Sequence, residues 1–266
     1  VGPDGNYSLA AAGAKGKLAG EAGLGSRKDI RDAVSAARGC KAWPEATAFN
    51  RSQVLYYLAE NLSGRADEFA ARLVQLTGVT AKAAREEVEQ SIERLFLYAG
   101  LTDKFEGRVH QPPARAVTLA LHEPVGVVGI VAPDNPPLLG LISLVAPALA
   151  MGNTVVAVPS ERHPLLATDL YQVIEYSDVP AGAINIVTGR SAELAGVLAK
   201  HDDVDGLWVF ADAETCAKAE AESIGNLKRV WTGHGRSLDW ASNEAAGDAF
   251  LRRAVEVKNV WVPYGD

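Results

Sequence analysis

The stretch from Leu121 to Glu161 constrains the fold of this chain more than any other part of the sequence. It holds three apolar segments, namely a strand, a helix and a second strand, at residues 125–131, 138–151 and 154–158. A helix that is apolar almost all round must be buried on most faces, and fully apolar strands are typical of a parallel sheet covered on both sides. The stretch therefore predicts a right-handed strand–helix–strand crossover. Its ligand-binding loops should lie at the carboxyl ends of the strands, around Asn135 and around Ser160 and Glu161.

Strands and helices continue to alternate after this unit. Further strands are predicted at residues 184–187, 207–210 and 228–232, and helices at residues 164–176, 192–200 and 213–224. This alternation predicts an α/β fold with a Rossmann-like, doubly wound parallel sheet of about five strands, spanning residues 124–250. Residues 239–248 are small and polar, and they are expected to form a linker or a weak helix.

The N-terminal part, residues 1–107, is predicted to be mostly helical. Residues 1–25 are rich in glycine and alanine, so we expect an extended or loosely ordered lead-in. Ser26 can cap a first helix, and three more apolar stripes at helical spacing follow up to Ala99. These stripes are interpreted as core that packs on the sheet domain.

Two separate segments, residues 108–123 and 251–266, read as β structure outside the main sheet. Residues 116–121 form an apolar β run, and residues 255–262 form another that has no partner strand nearby in the sequence. An unpaired strand must find a sheet edge, because exposed edges promote aggregation.

Composition excludes several classes of function. The chain has 266 residues, 48% of them hydrophobic, and a formal net charge of −7, which argues against nucleic-acid binding and against binding to anionic membranes. The longest apolar run is too short to span a bilayer. Two cysteines give no disulfide framework and favour a reducing cytoplasm, and the five histidines show no metal-ligand spacing. The chain begins with Val1 and its only methionine is Met151, so we expect a processed chain or a domain cut from a longer protein.

Residues 123–161 resemble the core of the NAD-binding domain of the aldehyde dehydrogenase superfamily. The family pattern reads roughly EPVGVVGxIxPWNxPL and then APALAxGNxVVxKPSE, and the chain follows both halves in register. Two departures stand out: Asp134 replaces the tryptophan before Asn135, and Val158 replaces the lysine. The order of the N-terminal helices is similar to that family as well. In the family, strands placed like residues 108–123 and 251–266 form a protruding oligomerisation flap.

The resemblance implies a catalytic apparatus that this chain lacks. The family's water-activating glutamate aligns with Gly233, whose hydrogen cannot accept a proton. The family's catalytic cysteine lies in a domain inserted after that position, but only 17 residues separate Gly235 from Arg252 here. A catalytic domain would need on the order of one to two hundred residues. Cys40 and Cys216 do not match the family position and are interpreted as small buried side chains.

The resemblance also implies that NAD binding is impaired, because several residues differ from those at the family's NAD site. Asn135, Glu161 and Gly189 are candidate remnants of a dinucleotide site, but Val158 cannot donate a hydrogen bond. Asp212 and Glu214 stand where the family binds pyrophosphate, and they either repel phosphate or cap the following helix, the capping being the preferred interpretation. Asn135 is interpreted as a brace for its loop. We therefore expect no bound cofactor and no metal, and at most a vestigial NAD site.

The whole pattern resembles the truncated, non-catalytic C-terminal unit of family 16 aldehyde dehydrogenases. This implies a pseudoenzyme domain with a structural role in a larger NAD-dependent aldehyde dehydrogenase. Its expected partners are the catalytic unit of the parent chain and a second copy, which would form a homodimer through the flap strands. The residues expected at that interface are Val257, Val260, Trp261 and Val262. Two alternatives stay open: a regulatory nucleotide-binding module, and an aldehyde oxidoreductase completed by a partner domain.

Overall fold

A computed structural model describes residues 7–264. A β-hairpin and four helices come first, and strands and helices follow them. The strands are β1 (Ser8–Ala12), β2 (Leu18–Gly23), β3 (Arg108–His110), β4 (Ala116–Pro124), β5 (Val127–Val131), β6 (Thr154–Val158), β7 (Ile184–Ile186), β8 (Gly206–Val209), β9 (Arg229–Thr232) and β10 (Val255–Pro263). The helices are α1 (Arg27–Gly39), α2 (Ala48–Gly64), α3 (Ala66–Thr77), α4 (Ala81–Leu101), α5 (Pro137–Ala150), α6 (Pro164–Glu175), α7 (Ser191–Lys200), α8 (Ala213–Glu222) and α9 (Asp248–Arg253).

The central sheet has five parallel strands in the order β7-β6-β5-β8-β9. The predicted α/β fold with a doubly wound parallel sheet is therefore confirmed. Side chains alternate between two apolar layers: Val128 and Ile130 of β5 belong to the larger core, while Val127 and Val131 belong to a smaller one. Helices α2, α4, α5 and α6 cover the larger core, and α1, α7 and α8 cover the smaller one. The strands are apolar throughout because both faces of the sheet are covered.

Residues 1–25 were expected to be extended or loosely ordered; in their described part the chain is extended but ordered, since β1 and β2 form an antiparallel hairpin. Residues 1–6 lie outside the described part. The strand signal is weak because the side chains are small, so docking has to stabilise the pair. Gly20 packs directly on Leu165 of α6, where a Cβ would lie 2.9 Å from Leu165 Cδ1. The backbone N–H of Ala14 donates to Gln75 O of α3 at 3.0 Å.

Two other local predictions concern the cap of α1 and the segment before β10. Ser26 caps α1 in a reciprocal capping box with Asp29, as the sequence predicts. The expected linker or weak helix at residues 239–248 contains a 3₁₀ turn over Asn243–Ala246. Helix α9, which follows directly, was not predicted.

The last strand, β10, finds its partner far away in the sequence. It pairs antiparallel with β4 along its whole length, from Val255 opposite Pro124 to Pro263 opposite Ala116. A small antiparallel sheet of order β10-β4-β3 results. The side chains of Val257 and Trp261 point to one face of this sheet, and those of Val260 and Val262 point to the other, because strand residues alternate. Within residues 7–264 the outer edge of β10 has no strand partner.

Candidate functional site at the carboxyl edge of the sheet

The loops that follow β5, β6, β8 and β9 meet at the carboxyl edge of the central sheet and enclose an open cleft of ≈ 1010 Å³. An open α/β sheet binds its ligands at this edge. Asn135 and Glu161 both line the cleft, so the structure brings these two candidate residues together. Gly189 lies to the side, with a backbone φ of +159°, and packs against Gly25 in the connection between β2 and α1. That close approach leaves no space for a side chain at position 189.

Asp134, not Asn135, ties the two main loops of the cleft together. Its Oδ1 accepts hydrogen bonds from Ser160 Oγ at 2.9 Å and from the backbone N–H of Arg162 at 3.1 Å. The Asn135 side chain is exposed at the mouth of the cleft, so the interpretation of Asn135 as the loop brace was wrong. A short carboxylate reaches the neighbouring loop, and the residue that departs from the family pattern therefore performs the bracing.

Two acidic side chains cap the helices that border the cleft. Glu161 Oε2 accepts from the backbone N–H of Ser191, the first residue of α7, at 2.7 Å. Asp212 Oδ1 accepts from Thr215 N in α8 at 2.9 Å, and this bond and a second one from the Thr215 hydroxyl lower the pKa of Asp212. The interpretation of Asp212 as a helix cap is confirmed. Carboxylates are stabilised here because a helix N-terminus carries unpaired N–H donors and a partial positive charge.

A third carboxylate, that of Glu87, performs the same role for the buried helix α5. Its Oε1 accepts from the backbone N–H groups of Leu138 at 2.9 Å and Leu139 at 3.3 Å. Burial raises the pKa of Glu87, while the two backbone hydrogen bonds act in the opposite direction. No local pattern predicts this contact, because Glu87 lies on a different helix, about fifty residues away in the sequence. The N-termini of α5, α7 and α8 are thus all paired with carboxylates of the same chain.

The position of the family glutamate is tightly packed. Gly233 N donates to Val209 O at 3.0 Å, and a Cβ at Gly233 would lie 3.2 Å from Phe210 Cδ1. The nearest titratable cluster was not predicted. The Thr232 hydroxyl donates to Glu220 Oε1 at 2.5 Å and lies 3.1 Å from His234 Nδ1. These three side chains hold the end of β9 against α8.

Both cysteines are buried, as expected for small structural side chains. Cys216 is 1% exposed, and its thiol approaches the carbonyl oxygens of Val209 at 3.6 Å and Ala211 at 3.5 Å. Across residues 7–264, no group of three or more His, Cys, Asp or Glu side chains could hold a metal ion. Among the helices of the same residues, none is long and apolar enough to cross a membrane.

Residues 233–254, here called the bridging segment, run from the carboxyl end of β9 over the face of the sheet that carries the larger core to Ala254, which lies beside the amino ends of β5 and β6. Trp240 and Phe250 of this segment are 4% and 2% exposed. They pack on Phe210 and Trp231, which come from the ends of β8 and β9. The ring centroids lie 5.0 Å apart for Trp231 and Phe250, and 5.2 Å apart for Phe210 and Trp240, both with edge-to-face geometry. An aromatic cluster thus covers the sheet next to Gly233.

Two polar side chains fasten the bridging segment to the rest of the fold. Arg94 of α4 is 6% exposed and donates to the backbone oxygens of Trp240, at 2.9 Å, and Ala245. Burial lowers the pKa of Arg94. Asn153 is fully buried and donates to Ala254 O at 2.8 Å, while its own oxygen accepts from Gly126 N at 2.9 Å. The sequence signalled neither contact, because each joins segments about a hundred residues or more apart.

The fold, a parallel five-stranded sheet with helices on both faces, matches solved aldehyde dehydrogenase structures. The model of the aldehyde dehydrogenase family matches residues 9–236, and the chain belongs to this family. The match ends within the first few residues of the bridging segment.

Relatives and solved structures show what share of a family member's length this chain covers. The chain is 33% identical over 213 residues to the NADP/NAD-dependent aldehyde dehydrogenase PuuC of Escherichia coli, covering 78% of this chain and 43% of that protein. It is 33% identical over 241 residues to aldehyde dehydrogenase 1A1 of Equus caballus, covering 88% and 47%. A betaine aldehyde dehydrogenase structure from Staphylococcus aureus, in complex with NAD+, superposes with a TM-score of 0.84 at 25% identity and covers 87% and 48%. The chain therefore spans about half the length of the relatives it matches.

Proposed function

We propose that this chain is a non-catalytic aldehyde dehydrogenase domain with a structural and dimerising role in a larger NAD-dependent aldehyde dehydrogenase. The observation that carries the proposal is the bridging segment, which leads from β9 to β10 within about twenty residues and packs an aromatic cluster on the face of the sheet. A reactive thiolate and a proton-accepting side chain are needed for aldehyde oxidation. Gly233 has no side chain that can accept a proton, and both cysteines are buried.

The cleft is also a poor host for NAD. A dinucleotide binds through its pyrophosphate to free N–H groups at helix N-termini. Glu161 and Asp212 already pair with those groups at α7 and α8, and a phosphate would meet like charge there. Val158 is fully buried and has no polar atom to offer the ribose. The described residues therefore do not fit this cofactor.

Calorimetric titration of the chain with NAD tests this part of the proposal. We expect no saturable heat at micromolar to millimolar NAD, because the anion site is filled by the chain's own carboxylates. The matched control is Asp212→Asn, which removes the charge but keeps a capping side chain on the N–H groups of α8, and which should likewise give no saturable heat. Micromolar binding of NAD by the wild-type chain would contradict the proposal and would favour a regulatory nucleotide-binding module.

The small antiparallel sheet supplies the surface for dimerisation. Val257, Trp261 and Val262 are 55%, 59% and 47% exposed, and Val260 is half-buried. The Val260 and Val262 side chains lie on the same face as Leu119 and Val117 of β4, which together form a contiguous apolar surface. Exposed apolar surfaces of this kind mark sites of association.

The double variant Val260→Lys/Val262→Lys should convert a dimer into a monomer, because two cations on this face cannot be buried without partners. The measurement is the molar mass from light scattering after size-exclusion chromatography. Tyr176→Lys, at a side chain that is 75% exposed and lies on another element, is the control and should leave the dimer intact. A wild-type monomer, or a dimer that survives the double variant, would argue against this interface.

A further inference from the structure

A second groove lies on the face of the sheet opposite to the larger core, between helices α1, α7 and α8. It encloses ≈ 1350 Å³, open space included, and its walls carry basic side chains from all three helices. The basic residues are Arg27, Lys28, Arg31, Lys200 and Lys218, and the acidic ones are Glu193 and Glu222. This excess of cations occurs in a chain whose formal net charge is −7. The groove therefore carries more positive than negative side chains, although the protein as a whole is negatively charged.

The ion pairs of the groove show where this positive charge remains uncompensated. Lys200 Nζ pairs with Glu222 Oε1 at 3.0 Å, and Arg31 pairs with its neighbour Asp32 at 2.8 Å. Among residues 7–264, Arg27 and Lys218 form no ion pair with any carboxylate. These two exposed side chains stand on different helices, α1 and α8, so they face the groove from two sides.

Helix α7 forms the middle of the groove and packs against both α1 and α8. At its Gly196 the carboxylate of Glu222 lies close by, 2.6 Å from where a Cβ would be. A ligand that pairs with both Arg27 and Lys218 has to span α7, which an extended chain with spaced carboxylates can do and a single small anion cannot.

We propose that this groove binds an acidic peptide segment of a partner protein. Charge complementarity selects the partner: carboxylates of the segment pair with Arg27 and Lys218 from both walls, and the segment crosses α7 between them. Glu193 opposes the segment, because it places a carboxylate at the same groove. Such exposed pairs are screened by salt, so the interaction is expected to weaken as ionic strength rises.

Fluorescence anisotropy with a labelled hexaglutamate peptide and the full chain tests the proposal. We expect saturable binding at low ionic strength that weakens at about 0.15 M salt. Arg27→Ala/Lys218→Ala should weaken binding by about tenfold, whereas Glu193→Gln should strengthen it by about twofold to threefold. The control Lys15→Ala/Lys17→Ala removes the same charge from the turn between β1 and β2 and should have no more than a small effect.

Three results would overturn the proposal. One is the absence of saturable binding at low ionic strength. A second is an equal loss of affinity in the groove variant and in the control, which would reveal only the net charge of the protein. The third is displacement of the peptide by inorganic phosphate at comparable affinity, which would identify a small-anion site instead of a peptide groove.

Discussion

Replacing Arg94 with methionine should lower the free energy of unfolding by about 3 kcal/mol. Methionine keeps most of the packing of the side chain but cannot donate hydrogen bonds. The carbonyl oxygens of Trp240 and Ala245 would then lose their buried donors, and each loss costs about 1–3 kcal/mol. The measurement is urea denaturation followed by tryptophan fluorescence.

The control for this prediction is Arg85→Met on the same helix. Arg85 is exposed and pairs with Asp67 and Glu89 at the surface, so its loss should leave the denaturation midpoint unchanged. Hydrogen exchange adds a local readout, because amides of residues 240–246 should exchange faster in Arg94→Met. If both variants unfold at the wild-type urea concentration, Arg94 does not fasten the bridging segment.

Truncating Phe250 to alanine should cost about 4 kcal/mol, the largest effect that we expect from a single substitution in the bridging segment. Phe250 is 2% exposed and contacts both Trp231 and Trp240 in the aromatic cluster. Its removal leaves a cavity between the segment and the sheet, and it removes the edge-to-face contact with Trp231. Thermal and urea denaturation should report the same loss if unfolding is two-state.

Two controls separate the packing of Phe250 from the general cost of losing an aromatic ring. Phe250→Leu fills most of the volume and should cost less than about 1.5 kcal/mol. Phe49→Ala removes a ring that is 62% exposed and should have little effect on stability. A loss for Phe250→Ala no greater than that for Phe49→Ala would mean that the bridging segment is not part of the cooperative core.

The sequence predicted those parts of the fold whose signals are local. The parallel strands are apolar runs bounded by turn residues, so β5, β6, β7, β8 and β9 were all predicted within a residue or two of their bounds. Ser26 and Asp212 cap the helix that follows them directly, and such caps can be read from neighbouring residues. The β1–β2 hairpin was missed because alanine and glycine carry almost no strand signal, and its stability comes from docking onto α3 and α6.

The candidate site was only partly predictable, because only its local features can be read from the sequence. Its loops follow from the rule that ligands bind at the carboxyl edge of a parallel sheet. The contacts that decide its chemistry join distant segments: Glu87 reaches the N-terminus of α5, Glu161 reaches Ser191, and Arg94 reaches Trp240. No periodicity or spacing in one sequence reveals which carboxylate will fill which helix end. The pairing of β10 with β4 was likewise fixed by the fold and not by sequence proximity.

The most direct test of the account is an assay of the purified chain for aldehyde-dependent formation of NADH, at high protein concentration and with saturating NAD. We expect no formation above the rate without protein, because residues 233–254 lead directly from β9 to β10 without a cysteine and Gly233 has no side chain that can accept a proton. An NADH signal that is present in the wild-type chain and abolished by Cys216→Ala would contradict the account, since it would place a working nucleophile in a protein that we describe as a scaffold.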